Sequence, residues 1–356
     1  MMKKTLVALA VLGASGLVAA QSSVTLYGMA DAGIGRAKYN PDGKNPNAKT
    51  KFMGGGSTVN NAPSRIGLKG TEAIGGGNVV GFAFEHGLSL EDGRSIEFNG
   101  AEPLWDSVGN SFWDRDAHVF IAGGWGALKL GRQVSPTHIS EAQYDLTGLA
   151  NYSAMRGTFK ATGFPVWNTT IAYFSPNMGG LTVAAAFVPK NNLDEAPYIA
   201  AGLKRKNLWD LAAWYHNGGL GVTASVNKGL AGKKTNWQIG AKYSFSNFTV
   251  AGSYHTVHAD FINYPWPAVN GGARRGFNLS AQAKFGAATV TVDVARTTKN
   301  EWTNGKLQPA AVHGNKKYTN FMLEGKYALS KRTFLYADFL RLDGTNNWGL
   351  GINHSF

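Results

Sequence analysis

The feature that most constrains this chain is an alternation of period two that recurs to its last residue. In NNWGLGINHSF (residues 346–356), Trp348, Leu350, Ile352, His354 and Phe356 share one parity, while Asn347, Gly349, Gly351, Asn353 and Ser355 share the other. In NWQIGAKYSF, Trp237, Ile239, Ala241, Tyr243 and Phe245 oppose Asn236, Gln238, Gly240, Lys242 and Ser244. FNLSAQAKF (277–285) and TNFMLEGKY (319–327) repeat the pattern. Successive side chains of a strand point to opposite faces, so such a segment is a β-strand with an apolar side and a polar side.

Mature segments nowhere approach the ~20 consecutive apolar residues of a membrane-crossing helix, and the mean hydropathy of −0.18 is mild. Strands that interleave lipid-facing and water-facing residues average to just such a value. The opening MMKKTLVALAVLGASGLVAA has a basic start, a short apolar stretch and small residues before Gln21, the pattern of an export signal cleaved after Ala20. The expected domain plan is therefore a signal at 1–20 and one barrel over 21–356. The chain has 35 basic and 22 acidic residues; without Lys3 and Lys4 the balance is 33 − 22 = +11. The basic residues are spread out rather than gathered into a patch, which argues against nucleic acid as a partner. There is no cysteine, so stability does not rest on disulfides.

Connections alternate between tight turns (Gly75–Gly77, Gly123-Gly124, 177–180, Gly218-Gly219, 245–247, 329–331) and long polar segments (about 38–61, 89–112, 135–167, 189–204, 259–274, 299–315). That places turns at one end of a barrel and loops at the other. Sixteen strands are expected, starting near residues 23, 62, 78, 113, 125, 168, 180, 206, 219, 234, 247, 274, 287, 316, 331 and 346. An even number closes an antiparallel barrel with both termini at the turn end, and a barrel of this size encloses an aqueous channel. A sandwich would need large interdigitating core residues where this apolar face is diluted by Gly and Ala. Lys242, Lys284 and Lys326 lie 42 residues apart, a spacing that two strands per hairpin pair explain without a solenoid. The last strand must pair with SSVTLYGMADAGIG, and Phe356 joins Tyr243, Phe285 and Tyr327 in an aromatic girdle.

The chemistry-bearing motifs are absent: no His-Glu-x-x-His, no Gly-x-Ser-x-Gly, and no Gly-Lys-Ser/Thr after the glycine runs. His255 and His258 form the one close histidine pair and read as lumen or rim polarity. No enzyme activity, metal or cofactor is expected. By parity, Ile66 and Leu68 take the lipid face of PSRIGLKG, so Arg65 and Lys69 point inward, Arg65 at constriction depth. Lys242, Lys284 and Lys326 also face the lumen toward the turn end, with the acids Glu324, Asp338, Asp293 and Asp31.

Several stretches, in order along nearly the whole mature chain, resemble the neisserial-type, beta-proteobacterial family of trimeric outer-membrane porins: SSVTLYGMADAGI, APSRIGLKGTEAIGGG (62–77), LKLGRQ (128–133), TTIAYFSPNMGGL (169–181), YALSKRTFLYADF (327–339) and GINHSF. The resemblance implies a sixteen-stranded all-β transmembrane barrel in the outer membrane of a Gram-negative bacterium, a homotrimer, and passive diffusion of small hydrophilic solutes. It also implies that about 135–167 folds inward as a constriction loop. The terminal strand, with Trp348, Leu350, Ile352 and Phe356, resembles the signal read by the barrel-assembly machinery. Arg115 and Arg132 are family-like arginines whose parity aims them at lipid, so the strand must end or bulge at each. Where relatives carry a further Arg this chain has Val166. Arg156 and Lys160 in the loop compensate, opposed by Glu141 and Asp145.

Together these readings point to a general-diffusion channel with a modest anion preference set mainly by Arg65. The alternatives are a substrate-specific channel for organic anions on the same fold, an adhesin or receptor acting through long surface loops, and an outer-membrane enzyme, which would need a Ser, a His and an acid converging at the barrel mouth.

Overall fold

The computed structural model describes residues 23–40, 43–44, 47–95, 112–159, 162, 166–192, 206–228, 234–258, 273–300, 317–342 and 344–356. Within them sixteen strands form the wall: β1 (Ser23–Arg36), β2 (Arg65–Gly75), β3 (Asn78–Gly87), β4 (Asp116–Gly123), β5 (Gly126–Val134), β6 (Val166–Phe174), β7 (Leu181–Val188), β8 (Leu208–Asn217), β9 (Leu220–Lys228), β10 (Asn236–Phe245), β11 (Phe248–His258), β12 (Ala273–Phe285), β13 (Ala288–Asn300), β14 (Thr319–Ala328), β15 (Thr333–Leu342) and β16 (Thr345–Ser355). Every neighbouring pair is antiparallel and follows chain order. A short strand, Lys51–Met53, adds to β1 at Gly33–Gly35, beyond the point where β2 begins.

Closure is by β16 on β1, with Met29–Arg36 paired to Ser355–Trp348. Gly28 and Phe356 exchange backbone hydrogen bonds of 3.2 Å each way. A Cβ on Gly28 would sit 2.4 Å from the Phe356 ring, so the first strand carries glycine where the last aromatic lies down. A closed sheet leaves no unpaired edge, which a membrane would penalise heavily.

Parity sorts the side chains as the alternation requires. Val24, Leu26, Leu130, Ile171, Leu211, Ile239, Leu279, Leu323, Leu350 and Ile352 stand outward and exposed, the surface a bilayer covers. At the turn end Tyr243, Phe245, Phe248, Phe285, Tyr327 and Phe356 project outward, with Tyr243, Phe245 and Phe248 stacked in sequence at 6.1 and 5.9 Å. The inward parity holds Asn278, Asn320, Asn347 and Asn353, all buried.

The packed core lies where the loop after β5 folds into the barrel, not between two sheets. Tyr144, Tyr152, Met155 and Phe159 of that loop meet Val257, Met322, Tyr336, Leu340 and Leu342 of the wall. Gly240, on the polar parity of β10, leaves room for the Tyr144 ring; a Cβ there would lie 2.3 Å from it. The long segment expected over 135–167 gives way to β6 at Val166, which is buried and paired with Val134.

Candidate functional site

The infolded loop carries two short helices, α1 (Pro136–Glu141) and α2 (Ala154–Phe159). Ser135 caps α1, its hydroxyl accepting from the His138 N–H at 3.2 Å, and Pro136 begins the first turn, where no N–H is needed. Polar side chains of the wall then hold the loop. Asp210 accepts from Thr137 N (3.0 Å) and Thr137 Oγ1 (2.7 Å). Asp293 accepts from Ala154 N (2.9 Å) at the start of α2. Gln238 accepts from Tyr144 Oη (2.5 Å), and Glu324 from Tyr152 Oη (2.7 Å). Arg274 donates to the Thr158 carbonyl (2.6 Å). The loop thus lies against β8–β15, the segment before β2 covers Asp31 of β1 through Asn60 and Ala62, and β2–β4 are left facing the lumen.

On that open wall three charges meet. Arg65 Nε lies 3.4 Å from Glu85 Oε2, and Arg115 Nε donates to Glu85 Oε1 at 2.6 Å. The three side chains retain 23%, 16% and 14% exposure for Arg65, Arg115 and Glu85, so their charges are neither on the rim nor sealed from the channel. Glu85 sits in register with Gly67 of β2 and Asp116 of β4, on the parity of Ala83 and opposite to Phe82 and Phe84. The alternation in NVVGFAFEHG is thus a sequence signal for Glu85 as a lumen charge, one that the reading above did not use. Arg115 escapes the lipid face because β4 starts only at Asp116; its own N–H bonds the Glu85 carbonyl at 3.1 Å.

Arg156, in α2, donates to the Leu149 carbonyl at 2.6 Å. Burial makes its guanidinium less willing to hold its proton, Glu141 and Asp145 oppose that, and the charge of Arg115 reinforces it. Glu141 and Asp145 face the loop–wall contact. Glu141 is fully buried, accepting from Thr162 N at 2.5 Å with His138 Nδ1 at 3.3 Å. Asp145 accepts from Thr147 N and Oγ1 at 2.8 and 2.7 Å, and burial shifts its carboxyl upward against those hydrogen bonds. Lys160 lies outside the described residues.

Arg132 lies where the β5–β6 register shifts between Gly131 and Gln133. Gly131 has φ +130° and Thr169 on the partner strand has φ 48°, so the irregularity expected from parity is present. The guanidinium is tied to the Asp114 carbonyl (2.6 Å) and to Asn168 Oδ1, both at the loop end of the wall.

The remaining lumen charges divide by partner. Lys69 lies over the Tyr27 ring at 5.0 Å and Lys129, overlooked in the sequence, over Phe174 at 4.9 Å. Lys326 is paired with Glu324 at 2.8 Å and donates to the Thr147 carbonyl of the loop at 3.2 Å. Asp31 is fully buried and accepts from Asn60 (3.0 Å), Tyr336 (2.7 Å), Asn353 (2.8 Å) and Ala62 N (3.3 Å), fastening the chain before β2 to the wall. Asp338 lies opposite Glu324 in the ladder, and neither of its oxygens meets a donor among the described residues. His255 is buried under the loop, bonded to Thr162 Oγ1 at 2.7 Å and stacked on Phe159 at 4.4 Å, rather than at the rim. No group of three or more metal-binding side chains occurs among the described residues.

One Ser–His–acid set does converge at the mouth. Ser95 Oγ lies 3.0 Å from His86 Nε2, and His86 Nδ1 lies 3.3 Å from Asp114 Oδ1. The same Nδ1 also meets the Phe112 carbonyl, and Asp114 Oδ1 accepts from Gly87 N at 2.8 Å. His86 pairs with Ile66 on the outward parity, so the set binds the Ser89–Arg94 turn to the outer rim.

A family model for Gram-negative porins matches residues 5–347. The chain is 32% identical over 260 residues to outer membrane porin protein 32 of Delftia acidovorans, covering 70% of this chain and 68% of that one. It is 28% identical over 196 residues to the major outer membrane protein P.IB of Neisseria gonorrhoeae, covering 54% and 49%. The structure of an anion-selective porin from Comamonas acidovorans superposes with a TM-score of 0.71 at 21% identity, over 94% of this chain and all of that one. With a closed sixteen-stranded wall, an outward apolar band and a match over almost its full length, the chain belongs to the Gram-negative porin family and is a β-barrel of the outer membrane.

Proposed function

We propose that this porin is a general-diffusion channel for small hydrophilic solutes with a preference for anions, assembled as a homotrimer. The observation that carries the reading is the Arg65–Glu85–Arg115 set on the wall: two guanidiniums share one carboxylate, leaving one net positive charge. In a water-filled pore with low-dielectric walls, such a charge is focused along the axis and enriches counter-ions. Arg156 adds to it from the loop side, and the relative of known structure described as anion-selective supports the same sign. Residues 1–20 act as the export signal, and the terminal strand ending in Phe356 serves the assembly machinery. The test is the zero-current potential of purified protein in a planar bilayer under a salt gradient. A potential displaced toward the chloride equilibrium value supports the reading, and Arg65→Glu is expected to reduce it. Cation preference in the unmodified protein overturns the assignment of the arginines.

A further inference from the structure

Resting on the channel reading, we infer that Leu149 is a positioning residue for ion selectivity: its left-handed backbone aims its carbonyl at Arg156 and keeps that guanidinium off Asp145. The chain between α1 and α2 bends sharply at Gly148 and Leu149, whose φ angles are 74° and 62°. Glycine takes that conformation without steric cost, but in leucine the Cβ crowds the carbonyl that follows it. A leucine stays there only where its surroundings over-determine the backbone.

Hydrogen bonds from two sides do so here. Within the bend, Asp145 Oδ1 accepts from Thr147 N (2.8 Å) and Thr147 Oγ1 (2.7 Å), and Gly148 N donates to the Asp145 carbonyl (3.1 Å). From the wall, Gln282 Nε2 of β12 donates to the Leu146 carbonyl (2.8 Å) and Lys326 Nζ of β14 to the Thr147 carbonyl (3.2 Å). The Leu149 side chain packs on the loop–wall core. With both flanks fixed, the direction of the peptide joining Leu149 to Ala150 is fixed as well.

That peptide has the acid on one edge and the arginine on the other. Its N–H, on Ala150, donates to Thr147 Oγ1 at 3.1 Å, and that hydroxyl donates on to Asp145. Its carbonyl, on Leu149, accepts from Arg156 Nη1 at 2.6 Å. A planar trans peptide points its N–H and its carbonyl in opposite directions, so it acts as a spacer between the two charges. A carbonyl also holds a guanidinium without neutralising it, whereas a carboxylate binds it more strongly and cancels its charge. Asp145 keeps one oxygen, Oδ2, without a hydrogen bond among the described residues. Arg156 stays partly exposed while Asp145 is buried. Held apart, the pair therefore shows a passing ion the arginine; released, Arg156 closes on Asp145 and its field is cancelled.

Zero-current potentials of the full-length protein are measured in a planar bilayer under a salt gradient, each variant being shown folded by its β-sheet circular-dichroism spectrum. Leu149→Val keeps an apolar side chain, but its branched Cβ resists the left-handed conformation. It is expected to lower the anion-to-cation permeability ratio roughly twofold, the same direction as Arg156→Gln. Leu149→Asn gives up the packing but tolerates the conformation, and is expected to restore the ratio. In Arg156→Gln protein, Leu149→Val should cause no further change. Gln282→Leu, a neutral change on the wall, frees the Leu146 carbonyl and is expected to shift the ratio in the same direction as Leu149→Val. A ratio unchanged in both Leu149→Val and Gln282→Leu overturns the positioning role while leaving the anion preference standing. So does an equal loss in the Val and Asn variants, or a further loss in the Arg156→Gln background. Cation preference or no conductance in the unmodified protein overturns the channel reading itself.

Discussion

Replacing Glu85 by Gln removes the one carboxylate shared by Arg65 and Arg115 and raises the charge of the trio from +1 to +2. The Arg115–Glu85 contact is 2.6 Å and the Arg65–Glu85 contact 3.4 Å, so both guanidiniums stay in place facing the lumen with a neutral amide between them. An ion passing ~6 Å from the Glu85 position in water exchanges about 0.7 kcal/mol with a unit charge. Screening over a Debye length of ~10 Å at 0.1 M salt leaves about 0.4 kcal/mol. That amounts to roughly a factor of 2 for each permeating ion, favourable for the anion and unfavourable for the cation, so the permeability ratio rises about fourfold. The assay is the zero-current potential in a planar bilayer at 0.1 M mean salt, repeated at 1 M, where the shorter Debye length of ~3 Å suppresses the effect. Arg115→Gln, which lowers the trio to neutral, moves the ratio the other way by a similar factor. A β-sheet circular-dichroism spectrum matching that of the unmodified protein shows that each variant is folded. An anion preference unchanged or reduced in folded Glu85→Gln protein would refute the assignment of this trio as the selectivity determinant.

Tyr152→Phe removes the hydroxyl that donates to Glu324 (2.7 Å) and accepts from Asn61 (2.7 Å). Two polar groups lose a partner at ~1–3 kcal/mol, and open-channel current noise is expected to rise as the loop loosens. Asp338→Asn relieves a buried carboxylate that faces Glu324 across the ladder with no donor of its own. It is expected to raise the thermal unfolding temperature, by roughly 1–2 kcal/mol of stability, as read from heat-dependent gel mobility. Gly131→Ala places a side chain at φ +130° with its Cβ 2.3 Å from the Ala117 carbonyl and is expected to destabilise the wall by about 3 kcal/mol in the same gel assay. Burial shifts the His138 imidazole below its ordinary value, against the pull of Glu141. The unfolded loop then binds the proton more readily, so the loop's anchorage is fully present above pH ~6.5 and is lost as pH falls below it. Current noise should grow between pH 7 and 5, and His138→Gln should flatten that rise.

The wall was legible because its rule is local. A strand between lipid and water shows its alternation within ten residues, and tight turns punctuate it. Sixteen strands and closure on Phe356 followed from the sequence without any knowledge of long-range contacts. The parity conflicts at Arg115 and Arg132 were equally informative: a charge cannot stay on the lipid face, so each had to sit at a strand end or an irregularity. The structure supplies a strand start at Asp116 and a register shift at Gly131.

What the sequence left open depends on which inward groups meet across the lumen. Periodicity places Glu324, Lys326, Asp31 and Arg65 on the same side of their strands, but not beside one another. Only the tertiary structure couples Lys326 to Glu324, seals Asp31 within four donor groups, and leaves Lys242 and Lys284 without a carboxylate partner among the described residues. The infolded loop decides much of this, because its backbone and tyrosines cover the inner face of β8–β15, while the segment before β2 seals Asp31. The sequence alone determined the barrel, since lipid imposes its period on every strand. The channel's charge pattern was decided in three dimensions, since Coulomb forces and hydrogen bonds act between residues that a hundred or more positions of chain keep apart.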